Sequence, residues 1–355
     1  MKRAAQITMF AGVGVGMAAG AYLKRRAMVS LRDKVVLITG SSRGLGLALA
    51  CEFASHGARL IICGRRVDSL ELAEQKLTAA GADVLALSCD VSKQDQVEYL
   101  VERAIDHFGR VDVLVNNAGI ITVGPQQTMM LQDYKACMDI MFWGTVYTTL
   151  AILPHMQERK SGHIVNITSI GGKVSIPHLL PYSCAKFAAL GFSEGLHAEL
   201  VKSGIKVTTV VPGLMRTGSH RNALFKGKHQ QEYALFAPLA TLPISAISAP
   251  RAAHQIVQAM RRGMNELIIS VQAQLLARFH GLLPGTTNAI LGQIARLLPD
   301  ANENERGAWA GEESRSKIAD HLAMPGESTA HAYNQYVPSN TENPSASHQR
   351  ERRRE

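Results

Sequence analysis

Seven short runs of apolar, β-favouring residues recur between helical stretches: "VVLIT" (35–39), "ARLIIC" (58–63), "DVLALS" (83–88), "VDVLVN" (111–116), "HIVNITS" (163–169), "KVTTVV" (206–211) and "ELIIS" (266–270). Strands that alternate with helices pair in parallel, because each helix carries the chain back to the end of the sheet where the last strand began. The runs are continuously apolar rather than alternating, so both faces of the sheet must be covered. The sequence therefore predicts an α/β fold, a doubly wound, seven-stranded parallel sheet. Ligands of such sheets bind beyond the carboxyl ends of the strands, which directs attention to the residues just after each run.

After the first run stands "TGSSRGLG", Thr39 to Gly46, opening the helical stretch "LGLALACEFASHG". Glycines at 40, 44 and 46 permit a tight turn and bring backbone N–H groups at a helix start close to a diphosphate. The order strand, glycines, helix predicts a dinucleotide site. After the second run, an acidic residue would hold a ribose 2′-hydroxyl, but the chain has Arg65 and Arg66, with Arg43 in the glycine turn. Guanidinium groups match a 2′-phosphate, so NADP(H) is the expected cofactor. A solvated arginine pair opening a helix is the bland alternative.

In "PYSCAK" (181–186), Tyr182 precedes Lys186 by four positions. On a helix the two lie on one face, one turn apart, and a fixed ammonium favours the phenolate, lowering the tyrosine pKa. Such a tyrosine exchanges a proton with an alcohol or carbonyl oxygen.

Taken together, "TGSSRGLG", "NNAG" (116–119), "IVNITS" ending at Ser169, "YSCAK" and "VVPG" ending at Gly213 resemble the short-chain dehydrogenase/reductase family in order and spacing, over about residues 32 to 270. The resemblance implies a single Rossmann domain in which Tyr182 is the general acid/base, Lys186 holds the nicotinamide ribose and lowers the tyrosine pKa, and Ser169 hydrogen-bonds the substrate oxygen. It further implies a cofactor site made of Gly40, Ser42, Arg43, Gly44, Leu45, Gly46, Arg65, Asp90, Val91, Asn117, Ala118, Gly119, Tyr182, Lys186, Pro212, Gly213 and Thr217. Asp90 meets the adenine, and Pro212, Gly213 and Thr217 lie along the nicotinamide end. One position departs: "IMFWG" places Met141 where the family usually has asparagine. A methionine retains the main-chain carbonyl but has no useful side-chain hydrogen bond, and a working enzyme is expected.

The function implied is an NADP(H)-dependent oxidoreductase moving a hydride between nicotinamide and a carbonyl or alcohol group. The segment after Gly213 mixes Leu214, Met215, Leu224, Phe225, Tyr233 and Phe236 with basic residues and suits a lid over an apolar substrate, a dimer contact or a surface helix. A catalytically weak or silent dinucleotide-binding sensor or scaffold is the alternative, motivated by Met141 and the long tail. An epimerase or dehydratase fits the glycine spacing less well.

The net charge of +9 in 355 residues gathers at the ends, with no basic, aromatic-interleaved groove for nucleic acid. Five cysteines without C-x-x-C or His/Cys clusters suggest neither a disulfide framework nor a metal site. Residues 1–30 are read as a membrane-anchor segment: 7–23, "ITMFAGVGVGMAAGAYL", carry no charge and lie between Lys2-Arg3 and Lys24-Arg25-Arg26. Seventeen residues are at the short limit for a span. The cations that follow disfavour export, which argues for a retained single-pass anchor with a cytoplasmic catalytic domain over a cleaved targeting peptide or a plain helix. Residues 31–270 form the catalytic domain. Residues 271–299 read as two amphipathic helices broken at Pro284-Gly285, packing on the domain or touching lipid, and 300–355 as a disordered tail. The expected partners are an apolar small molecule, membrane lipid and a further copy of the chain.

Overall fold

The structure, a computed structural model, describes residues 28–242, 245–300, 306–315 and 332–335. Seven strands, β1 (Val35–Ile38), β2 (Arg59–Gly64), β3 (Val84–Ser88), β4 (Val113–Asn116), β5 (Gly162–Ile167), β6 (Ile205–Pro212) and β7 (Glu266–Ile269), form one sheet in the order β7-β6-β5-β4-β1-β2-β3. Every neighbouring pair in it is parallel. The order reverses between β1 and β4, which opens a crevice at their carboxyl ends.

The pleat explains the continuous apolar runs. Val36 and Ile38 face one core with Leu47, Ala50 and Phe53 of α1 (Gly44–Ser55) and Ile256 and Met260 of a later helix (Ala249–Arg261). Val35 and Leu37 face the other, where α3 (Gln94–Phe108) supplies Val97, Leu100 and Ala104. Between them α2 (Val67–Ala79) covers the outer strands. Each fully buried Leu or Ile contributes about 1.5–3 kcal/mol, so truncating Leu37 to alanine would cost about 2–5 kcal/mol.

Past β4, α4 (Leu131–Met138) runs through a π-helical turn, Asp139–Trp143, into α5 (Gly144–Glu158). This stretch is long and apolar enough to cross a membrane, and part of its apolarity serves the interior: Cys137, Met141, Ile152 and Met156 are buried, while Leu131, Trp143 and Leu150 are exposed. The next helices are α6 (Leu180–Glu199), α7 (His229–Thr241), α8 (Ala249–Arg261), α9 (Val271–Leu282) and α10 (Pro284–Ala295). The break falls at Leu283, one residue before Pro284, as the proline ring requires. In α9 and α10 only Ala273 and Thr287 are buried, while Leu275, Leu282, Ile290 and Ile294 are exposed, so this hairpin rests lightly on the body.

Two further segments pack on the body of the domain. Within 300–355, Trp309–Ala310 pairs antiparallel with Leu224–Phe225, Trp309 stacks on His229 at 4.9 Å, and residues 332–335 pack against the body. Aromatic side chains at 309 and 333 find partial burial that the polar average of this stretch conceals. Phe225 and Tyr233 are buried in a small core of their own with Val123, Ala223 and Ala237, so they support the segment after Gly213 from beneath rather than forming a lid surface.

The chain enters at the end of the sheet where the strands begin. Val29 N donates to Arg261 O at 2.9 Å, and Arg261 Nε returns a bond to Val29 O at 3.1 Å. The stretch 7–23, on which the anchor expectation rests, lies outside the described residues.

Candidate active site

The crevice at the carboxyl ends of the strands is a cleft of about 300 Å³. Its lining contains Ser169, Tyr182, Lys186 and every residue expected at the cofactor site, from Gly40 to Thr217. Arg66 and Met215, expected beside the 2′-phosphate and the substrate, are on the wall too, and Ser69, Ile120, Ile121, Ile140, Asn222 and Gln335, not foreseen as site residues, join them.

The phosphate end is built from the β1–α1 turn. Gly40 and Gly44 have φ of +62° and +58°, and a Cβ on Gly40 would lie 2.8 Å from Ala118 Cα. A Cβ on Gly46 would collide with the Gly40 carbonyl. Thr39 and Asn117 tie this turn to β4: Thr39 Oγ1 accepts from Asn117 N at 2.9 Å and Ala118 N at 3.0 Å, while Asn117 Nδ2 donates to Thr39 O at 2.9 Å. No side chain caps the start of α1 at Arg43; Gly44 N bonds to Tyr333 O at 2.9 Å, and Leu45 and Gly46 line the cleft, where their N–H groups suit an anion.

Three arginines converge beside that turn. Burial, then the Arg66 and Arg65 cations, push the Arg43 guanidinium down to about 10. Arg66 Nη2 and Ser69 Oγ are buried with no hydrogen-bond partner among the described residues. Mutually repelling cations with orphaned donors fit a doubly charged phosphate, since unpaired buried polar atoms cost about 1–3 kcal/mol each. Arg65 Nη1 lies 3.9 Å from Asp90 Oδ2, and Asp90 Oδ1 is held by Ser92 N and Oγ at 3.0 and 2.8 Å.

At the other end of the cleft, Ser169 follows β5, and its Oγ accepts from Gly171 N at 3.0 Å. Pro181 lies in the first turn of α6, placing Tyr182 at the head of the helix and Lys186 one turn further on. Ser169 stands near enough to Tyr182 to pull its phenol down, and with Lys186 the two line the same cleft, so the three expected catalytic side chains lie together. Lys186 is 5% exposed and its Nζ donates to Ile167 O at 2.8 Å. The electrostatics depart from expectation. Burial raises the Tyr182 phenol above its usual value, outweighing the downward pull of Ser169. Burial also pushes Lys186 down to about 8. The low-dielectric surroundings penalise the charged form of each.

A buried polar chain holds α6 in place. Thr148 Oγ1 donates to Asn116 Oδ1 at 2.6 Å, Asn116 Nδ2 to Asn166 Oδ1 at 2.9 Å, and Asn166 Nδ2 to Ser193 Oγ at 2.9 Å, with Ser193 Oγ 2.7 Å from Thr209 Oγ1. It joins α5, β4, β5, α6 and β6, fixing the helix that carries Tyr182 and Lys186. Met141 is buried in the π-helical turn, packed with Cys137 and Ala185 and with the partly buried Tyr182, and its carbonyl accepts from Thr145 Oγ1 at 2.9 Å.

Comparison with known proteins agrees with this geometry. The family described as short chain dehydrogenase matches residues 34–226. SadH of Mycobacterium tuberculosis is 34% identical over 260 residues, covering 72% of this chain and 93% of its own. A short-chain dehydrogenase structure from Streptomyces avermitilis superimposes with a TM-score of 0.63 at 30% identity, over 76% of this chain and 100% of that one. The actinorhodin polyketide ketoreductase, solved with NADPH, gives 0.60 at 28%, over 68% and 97%. The glycine turn, the switch-point crevice and the joined Ser169, Tyr182 and Lys186 thus stand on a chain that belongs to the short-chain dehydrogenase family, an oxidoreductase family whose cofactor is a nicotinamide dinucleotide.

Proposed function

We propose that the protein is an NADP(H)-dependent oxidoreductase that interconverts a carbonyl and an alcohol on a lipophilic substrate. The observation that carries the cofactor choice is the convergence of Arg43, Arg65 and Arg66 with the orphaned Arg66 Nη2 and Ser69 Oγ. The chain has no carboxylate at the end of β2 to hold a ribose 2′-hydroxyl. Gly40, Gly44 and Gly46 and the amides of α1 would hold the diphosphate, Asp90 and Val91 the adenine end, and Pro212, Gly213 and Thr217 the nicotinamide end.

When bound, the nicotinamide supplies or accepts the hydride. Tyr182 gives its phenolic proton to the carbonyl oxygen as negative charge develops there, and takes it back in the reverse direction. Ser169 Oγ steadies that oxygen. Lys186, held by Ile167 O, offers a positive charge to the phenolate left behind. Tyr182 is protonated at neutral pH, as proton donation to a carbonyl requires, and burial moves the loss of that proton further to the alkaline side. Ile120, Ile121, Ile140 and Met215 on the cleft wall support an apolar substrate.

Exposed Trp143, Leu150 and Phe187 on the π-helical turn, α5 and α6 support association with a second copy, and the open apolar face of α9 and α10 supports contact with lipid. A membrane-held enzyme with its catalytic domain in the cytoplasm remains the proposed location, resting on the charge pattern around residues 7–23. The sensor or scaffold reading has less support, since binding alone does not require Ser169, Tyr182 and Lys186 together.

Fluorescence titration of the full-length protein tests the cofactor. NADPH should bind at least about tenfold more tightly than NADH, one charge-assisted hydrogen bond's worth or more, and Arg66→Asp should reverse that order. Tighter binding of NADH by the unmodified protein would refute the reading.

A further inference from the structure

Four residues near the end of the chain reach the phosphate-binding turn. Gly44 N, at the start of α1, donates to Tyr333 O at 2.9 Å, and Asn334 Nδ2 donates to Ser42 O at 3.3 Å. Gln335 is 6% exposed and lines the cleft, and a Cβ on Gly44 would lie 2.6 Å from Gln335 Nε2. The stretch is fastened from outside as well: the Tyr333 side chain packs against the core beneath β1 and α1, and Lys76 Nζ stands 5.2 Å over its ring and donates to Ala332 O.

Gln335 does more than fill space. Its Oε1 accepts from Asn222 Nδ2 at 2.6 Å, and Asn222 Oδ1 accepts from Arg43 Nη1 at 2.6 Å. An asparagine amide has one acceptor end and one donor end. Because Gln335 takes the donor end, Asn222 must turn its oxygen to the guanidinium. Without that acceptor the amide is free to rotate and present N–H groups to a cation, which would push Arg43 away. The hydrogen-bond chain Gln335–Asn222–Arg43 therefore sets the position of a guanidinium already crowded by Arg65 and Arg66.

We infer that residues 332–335 form one wall of the dinucleotide site and that Gln335 is a positioning residue, holding Arg43 through Asn222 for the 2′-phosphate. The inference rests on the NADP(H) reading above and adds to it a contribution from a part of the chain far outside the strand-and-helix alternation. Gly44 N–H is already bonded to Tyr333 O, so the diphosphate is left with the amides beyond it in α1.

The test is titration of full-length protein and of Gln335→Met and Tyr333→Ala variants with NADPH and NADH, with dissociation rates by stopped flow. Gln335→Met keeps the side-chain length and removes the acceptor. It should weaken NADPH about fivefold, the worth of one hydrogen bond, and leave NADH within about twofold. Tyr333→Ala, which loosens the whole stretch, should speed NADPH release by a similar factor. Tighter NADPH binding in either variant would mean that the stretch obstructs the site and would overturn the proposal. Equal losses for both dinucleotides, or no change in either, would overturn the role of Gln335. A preference of the unmodified protein for NADH shows separately, in the first titration, and removes the 2′-phosphate reading and this one with it.

Discussion

Lys186 Nζ stands 5.9 Å from the centre of the Tyr182 ring, one helical turn along α6, and donates to Ile167 O rather than to the phenol. The ammonium thus lies beside the ring without engaging the hydroxyl. Tyr182→Phe should therefore leave NADPH affinity within about twofold while turnover falls by about 10²–10⁴. Because burial raises the phenol, the reductase rate of the unmodified enzyme should be level through neutral pH and decline only on the alkaline side. Steady-state kinetics from pH 6 to 11 check both.

Lys186 is a buried cation whose value falls from 10.5 to about 8. Below about pH 8 both native and unfolded chains carry this proton and the native state bears the cost of burying the charge. Between about 8 and 10.5 only the unfolded chain binds it, so stability from this group rises with pH. Lys186→Met should abolish turnover yet raise stability at pH 7 by about 1–3 kcal/mol, less whatever the abandoned Ile167 carbonyl costs. Thermal denaturation at pH 7 and pH 10 should show the gain shrinking at the higher pH.

His163 works in the opposite pH range. Burial pushes it down to about 3, and its Nε2 lies 2.8 Å from Thr208 Oγ1, whose own hydrogen goes to Met264 O at 2.6 Å. The ring thus donates from Nε2 and stays neutral. As pH falls from about 6.5 to 3 only the unfolded chain takes up this proton, and stability of up to about 4–5 kcal/mol is lost. His163→Gln, which keeps a donor and removes the titration, should flatten the acid limb of a urea-denaturation profile.

Met141 is 1% exposed, and a Cβ on Gly119 would meet its Sδ at 3.5 Å. Met141→Asn would bring an amide into an apolar cluster of Cys137 and Ala185 while keeping the carbonyl that Thr145 uses. Turnover should be preserved and stability should fall by about 1–3 kcal/mol. A large loss of rate without loss of stability would assign the thioether a role in the chemistry.

The strands were readable because each is apolar on both faces, and the glycine turn because only glycine fits where Ala118 and the Gly40 carbonyl press in. The buried polar residues of the strands and of α6 were not readable in the same way. Asn166, Ser193 and Thr209 are unremarkable in sequence and become a network only when β5, α6 and β6 lie side by side. The downward pull of Lys186 on Tyr182 was expected from spacing alone, whereas the sign of the shift depends on how dry the site is. Gln335 escaped notice because sequence distance hides it: 113 positions separate it from Asn222.

The bond between Val29 and Arg261 fixes which way up the molecule would ride. With 7–23 in a bilayer, the few residues from Leu23 to Val29 reach at most about 20 Å, enough to keep the domain close but tethered by the edge where its strands begin. The cleft opens at the opposite edge, a strand's length away. An upright molecule would hold its mouth toward the cytosol like a bottle standing on its base, and substrate would arrive through water or on a carrier. Only a molecule tipped onto its side, with α9 and α10 as the resting surface, would drink from the membrane.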